Sequence, residues 1–221
     1  MRASRVWTIG VMNSSAAQGA GVPSRRRGVA LIPVLVTVAV VAYLIDVLSK
    51  VAVVATMEYG EPVSVIGDFL TFQLARNSGA AFSMATGYTW LLTFVALIVV
   101  LGIVRYAKRL GSLGWVIGLG LVLGGALGNL TDRMFRSPGP FRGHVVDFIQ
   151  VGSWWPTFNM ADSAVVCGAV LLVLLTLLGY DYDGSRTGWA ARNLPDGDAT
   201  EDGEEQASGD KGDTDKEDRD A

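Results

Sequence analysis

Residues 29–57 read VALIPVLVTVAVVAYLIDVLSKVAVVATM, a run in which Asp46 and Lys50 are the only charged side chains. A hydrocarbon core of about 30 Å needs about 20 helical residues, so this run can cross a bilayer. Three further stretches come close to that length, at about 90–106, 113–130 and 161–180. The chain therefore reads as an all-α membrane protein with four transmembrane helices. Arg25, Arg26 and Arg27 precede the first span, and Arg105, Lys108 and Arg109 fill the short link between the second and third. An excess of bases marks cytoplasmic loops, so both termini are expected to face inward. Aromatic residues agree: Tyr88, Trp90, Trp154 and Trp155 fall at the outer interface, and Trp115, Tyr180 and Tyr182 at the inner one. Arg133, Arg136 and Arg142 fall outside and are an exception to the pattern.

The flanks have a different composition. Residues 1–27 carry five arginines and no acids, and their only apolar run, Val6 to Met12, is too short for a secretory h-region. This reads as a basic, flexible N-terminal extension. Residues 181–221 hold fourteen of the twenty-one acids with almost no large apolar residues, a composition that cannot support a core. They read as an acidic disordered cytoplasmic tail, leaving 28–180 as the four-span membrane domain. The net charge of −3 sums a basic head and an acidic tail, so it says little about partners, and no nucleic-acid footprint is visible.

Two segments lie outside in this topology, 58–89 and 131–160. In the first, Phe69 to Ala75 alternates, with Leu70, Phe72 and Leu74 on one face, which predicts a short strand and a small extracytoplasmic β element. In the second, Pro138, Gly139, Pro140 and Gly143 break any helix. His144 to Val151 then reads as an extended or amphipathic piece in the outer loop between helices three and four.

Without the tail, seven acids remain: Asp46, Glu58, Glu61, Asp68, Asp132, Asp147 and Asp162. A carboxylate at membrane depth costs a few kcal/mol, so each such group needs a partner, water or a chemical role. Asp46 and Lys50 stand at i, i+4 spacing and read as a mutually neutralising pair. Asp132 reads by itself as an interfacial ion pair with Arg133 or Arg136. Asn129 and Arg133, again four apart, could hold a carboxylate or a peptide carbonyl, or serve packing alone. Asp162 opens the fourth span, where a carboxylate favours the positive end of the helix dipole with Asn159 as N-cap; local sequence weighs that reading equally with catalysis. Asp147 taken alone is a polar position on a half-buried extended segment.

Counting residues reduces the chemistries. With one histidine and one cysteine, His144 and Cys167, a zinc site of His and Cys ligands is essentially excluded, and a Cys–His nucleophile would join a mid-span thiol to a loop imidazole. Ser49 adjoins Lys50, and adjacent helical residues point apart, which disfavours a serine–lysine dyad. Gly124 to Gly128 reads as close helix packing rather than a phosphate loop. A carboxylate pair remains. Asp147 and Asp162 have no span between them, so both lie at the outer surface, where two close carboxylates share a proton and can activate water without a metal.

Several ordered segments resemble the prolipoprotein signal peptidase family, also called signal peptidase II. They are Asp46-Val47-Leu48-Ser49-Lys50, Asn77-Ser78-Gly79-Ala80-Ala81-Phe82-Ser83, Gly124 through Arg133, Gly143-His144-Val145-Val146-Asp147-Phe148 and Phe158-Asn159-Met160-Ala161-Asp162-Ser163. The resemblance covers about Val29 to Tyr180. Thr131, where an aliphatic residue is more usual, departs from it, and the Arg-rich insert from Phe135 to Arg142 has no counterpart role.

The resemblance implies an aspartyl endopeptidase of the bacterial inner membrane. It would cleave the signal peptide from diacylglyceryl-modified prolipoproteins immediately before the lipidated cysteine. Asp147 and Asp162 would be the catalytic pair. Asn77, Gly79, Asn129, Arg133 and Asn159 would bind substrate or support the pair, and Asp46, Lys50 and Asp132 would organise the helices. The lipid chains of the substrate hold its cysteine at the membrane surface, where such a site must meet it. No cofactor or metal is expected; the expected partners are prolipoproteins and membrane lipids, and the protein is expected to be a monomer. Two other classes compete. A small transporter would show repeated halves and midplane sites in broken helices. A non-enzymatic assembly factor would survive loss of either loop carboxylate.

Overall fold

A computed structural model describes residues 24–79 and 89–192. Its elements in chain order are α1 (Ser24–Thr56), β1 (Val63–Ile66), β2 (Leu70–Asn77), α2 (Thr89–Tyr106), a 3-10 turn (Ala107–Arg109), α3 (Leu113–Phe135), β3 (Val145–Val151), α4 (Met160–Leu177) and α5 (Gly188–Arg192). The first four α-helices are each long and apolar enough to cross a membrane.

α3 is the central helix. In its most apolar stretch 44% of residues are buried, against 11–22% in the other three spans. The reason is its glycines. A Cβ at Gly120 would sit 2.9 Å from Val38 of α1, and one at Gly124 would meet the Ala39 carbonyl. On another face, Gly118 is filled by Leu172 of α4, and Gly125 lies against the Ala161 carbonyl. Glycines at 120, 124 and 128 repeat every four residues and make one groove for α1; those at 118 and 125 make a second for α4. A core of Leu35, Ala39, Ile103, Leu110, Val116 and Leu123 fills the space between helices. The other apolar faces point outward, including Val40, Leu44 and Leu48 of α1 and Val166, Val170 and Val173 of α4, as a lipid-facing surface requires.

A three-stranded antiparallel sheet in the order β1-β2-β3 sits on the C-terminal end of α1. Val53 of α1 joins Leu74, Val146 and Phe148 beneath it, with Phe72 and Phe148 edge to face at 6.0 Å. The alternation at Phe69 to Ala75 becomes β2, and the extended segment after His144 becomes β3. β1 went unread in the sequence because all four of its residues are exposed, so no face periodicity marks it.

The described residues run past the expected boundary at Asp181, as far as Arg192. The Tyr182 carbonyl accepts from the Gly111 and Ser112 amides at 2.8 and 3.2 Å, and Trp115 Nε1 donates to the Tyr180 carbonyl at 2.8 Å. Ser185 donates from its amide and hydroxyl to Asp183, holding that carboxyl below its ordinary range. Composition weighs large apolar residues, whereas this turn is built from backbone pairing and one aromatic clasp. The N-terminal boundary moves too, since helix begins at Ser24. The remainder of both expected extensions, Tyr88 and residues 80–83 of the second motif lie outside the described residues.

Candidate active site

Asp46 and Lys50, one helical turn apart on α1, form an ion pair of 2.7 Å with exposures of 0% and 1%. Lys50 Nζ also reaches Asp132 Oδ2 and Asn129 Oδ1, both at 3.0 Å. Its hydrogen bond goes to Asn129, while the contacts with Asp46 and Asp132 are ion pairs; Asp46 Oδ2 has no hydrogen-bond partner among the described residues. The other oxygen of Asp46 accepts from the Ala161 amide at 2.8 Å, one of the N–H groups that a helix start leaves without an intrahelical partner. Gly128 makes this possible, because a Cβ there would strike the Asp46 carboxylate. Asp132 takes a second cation, Arg136, and the Val146 amide at 3.1 Å. Two acids and two bases thus brace α1, α3, α4 and β3 with no net charge.

The other two carboxylates are held by amides. Asn77 pairs across the sheet with Val145, so its side chain is the diagonal neighbour of Asp147 on the same face. Asn77 Nδ2 donates to Asp147 Oδ2 at 2.9 Å, and Asn159 Nδ2 donates to Asp147 Oδ1 at 2.6 Å. Asn159 is also the N-cap of α4. Its Oδ1 accepts from the Asp162 amide at 3.0 Å, while Asp162 Oδ2 accepts from the Asn159 amide at 3.2 Å, a reciprocal capping box. Asn129 Nδ2 donates to Asp162 Oδ1 at 2.8 Å. The orientation of that amide is fixed from behind: its oxygen faces Lys50, so its nitrogen must face the carboxylate.

Asn159, fully buried, therefore touches both acids and sets them side by side. Asp147 is 2% exposed, and burial pushes its carboxyl up to about 6; the neighbouring Asp162 charge pushes the same way, while Asn77 and Asn159 oppose. Arg133 lies in the field of both acids. It is buried, and its Nη1 has no hydrogen-bond partner among the described residues. The Gly79 amide donates to Asn77 Oδ1 at 2.7 Å, orienting that side chain as well. Gly79 has φ +92°, and a Cβ there would lie 2.6 Å from Leu92, so only glycine fits.

Asn77, Gly79, Asn129, Arg133, Asn159, Asp46, Lys50, Asp132, Asp147 and Asp162 thus gather at one end of the bundle. Asp132 pairs with Arg136 and not with Arg133, correcting one alternative, and adds Lys50. Arg133 and Arg136, two of the three arginines that run against the basic-loop pattern, face buried acids. Ser49 donates to the Asp46 carbonyl at 2.8 Å, and Lys50 faces Asp46, Asp132 and Asn129, so no serine–lysine dyad forms. Sequence reasoning took Gly143 as a helix breaker and motif residue and missed its packing, since a Cβ there would strike the Asp132 carbonyl. It also missed Thr93, buried at 1%, which binds the Phe141 carbonyl. No local pattern marks either, because both meet groups distant in sequence.

Comparison with known proteins agrees with this geometry. A lipoprotein signal peptidase of Mycobacterium tuberculosis is 56% identical over 167 residues, covering 76% of this chain and 82% of its own. One of Rhodococcus jostii is 60% identical over 154 residues, covering 70% and 77%. A bacterial membrane enzyme solved at 1.9 Å superposes with a TM-score of 0.59 at 30% identity, over 66% of this chain and 94% of that one. The family description of signal peptidase (SPase) II matches residues 38–178, the stretch that contains the whole carboxylate cluster, and the chain belongs to that family.

Proposed function

We propose that this multi-pass membrane protein removes signal peptides from diacylglyceryl-modified prolipoproteins, using Asp147 and Asp162 to activate water. The observation that carries the assignment is Asn159, which binds one carboxylate with its side chain and caps a helix with the other. Two acids held this close do not both ionise easily, so the pair keeps one proton. The ionised member takes a proton from water as the oxygen attacks the carbonyl preceding the lipidated cysteine. The protonated member then supplies the proton that the leaving amine needs. A bound substrate displaces water around Asp147 and raises its affinity for a proton further. Arg133 Nη1, buried and unpaired among the described residues, is satisfied by a substrate carbonyl oxygen. Asn77, Asn129, Asn159 and Gly79 hold the pair in register, and the Asp46–Lys50–Asp132 cluster fixes the helices that carry it.

The same reading places the site at the outer leaflet of the bacterial plasma membrane, with both termini in the cytoplasm and a monomer as the working unit. Support comes from the bases at the opposite ends of the spans and from the sheet that the site shares. The test is cleavage of a diacylglyceryl-modified prolipoprotein in detergent by wild type, Asp147→Asn and Asp162→Asn. Wild type is expected to cut before the modified cysteine, and each variant to lose about 10²–10⁴ in rate while melting as a folded protein. Normal cleavage by the folded variants would remove the pair from the mechanism.

A further inference from the structure

The loop between α3 and β3 contains the insert that the family resemblance leaves without a role, and it holds one residue against its backbone preference. Phe141 has φ +64°, a conformation that is a genuine outlier for a bulky side chain. Glycines stand two positions away on both sides, at 139 and 143, yet the left-handed position itself carries a phenylalanine. A strained residue persists only where its surroundings fix it, and here they do. The Gly143 amide donates to the Arg133 carbonyl at 3.0 Å, the His144 amide to the Ser137 carbonyl at 3.0 Å, and Thr93 Oγ1 lies 3.1 Å from the Phe141 carbonyl.

The Thr93 contact sets the depth. Thr93 lies four residues inside the outer end of α2, about 6 Å along the helix axis. The backbone of Phe141 is thus pinned below the end of a membrane-spanning helix, and the residue is 46% exposed there. Phe135, the last residue of α3, is 84% exposed at the same end of the bundle. An aromatic ring presented outward at this depth meets lipid, not water.

We propose that Phe141 is a depth anchor: its ring enters the outer leaflet beside α2 and holds the loop, and through it Arg133, at a fixed height relative to the lipid boundary. The occupant of this surface is the acyl and glycerol region of outer-leaflet lipid. The inference rests on the topology proposed above, with this loop outside, and adds a positioning role that serves a substrate tethered by its own acyl chains.

The test uses the full chain in phosphatidylcholine vesicles with Phe141→Trp. The emission added relative to wild type is expected to be largely lost when the lipids are brominated near the glycerol end of their chains, and much less affected by bromine at the terminal methyl end. Added emission that neither lipid quenches overturns the proposal. Phe135→Trp, read the same way, serves if the first variant does not fold. Phe141→Gly gives the functional arm. Relieved of strain, it is expected to melt no lower than wild type in detergent while its KM for lipidated substrate in bilayers rises several-fold with kcat retained. An unchanged KM in bilayers removes the positioning role. Quenching does not depend on cleavage, so a wild type that fails to cut the lipoprotein sinks the proposed function and leaves the depth measurement to stand by itself.

Discussion

Asp46 and Asp132 lie at the same end of the bundle as Asp147 and Asp162, yet the two pairs are held by different chemistry. The first pair is bound by the cations Lys50 and Arg136. The second is bound by the neutral amides of Asn77, Asn129 and Asn159. A cation answers a carboxylate's charge in an ion pair and ties the elements that carry the two groups together. An amide holds position without cancelling charge, so burial and the neighbouring acid still govern the proton. Charge pairing therefore supports the structure, and the amide-held pair stays reactive.

The contrast is broken most severely at Lys50. Lys50→Met leaves Asp46 buried without a cation and Asp132 with Arg136 alone, and is expected to lose about 3–5 kcal/mol of stability, read as a fall in folded yield and melting temperature in detergent. Adding Asp46→Asn should recover much of that loss, well beyond what it does in wild type, whereas Asp147→Asn should add to Lys50→Met only what it adds to wild type; equal coupling of both to Lys50 would erase the distinction.

Asp147→Asn by itself should act with the opposite sign. The folded carboxyl is raised to about 6 from 3.8, so the folded state binds more protons in that window. Wild-type stability is then full below 3.8 and falls as pH rises through about 6. Above it the Asn variant should be more stable, by up to about 3 kcal/mol at about 1.4 kcal/mol per pH unit, while cleaving about 10²–10⁴ more slowly. Melting curves at pH 4 and pH 8 check this, and equal curves at pH 8 contradict it. In the same window kcat/KM of wild type should decline as pH rises through about 6, where the pair gives up its shared proton. A profile that climbs steadily across that range would reverse the assignment.

Asn159→Ala is a smaller perturbation of stability, about 0.5–2 kcal/mol for the lost cap, with a loss of rate out of proportion to it because both acids lose their common partner. Asn159→Ser should recover the cap and not the rate. Ser49→Ala completes the series, expected within about 0.5 kcal/mol and without effect on cleavage, since that hydroxyl only bonds its own helix.

Part of this design is local and part is not. The four spans were legible because a long apolar run has one physical outcome in a bilayer. The Asp46–Lys50 pair and the Asn159 cap were legible because i, i+4 and N-cap geometry depend on a single helix. β1 was hidden by its complete exposure, and the ordered turn after Tyr180 by a composition typical of tails.

What the sequence by itself determined is thus the set of spans, the expected side of each loop and the short-range partners within each helix. Tertiary structure decided that Asp46 binds the amide of Ala161, 115 residues away, that Asn77 lies diagonally beside Asp147, and that Lys50 orients Asn129 toward Asp162. These depend on the sheet register and on how closely the glycines of α3 let its neighbours approach. Both are set by packing among distant segments, which no single stretch of the chain contains.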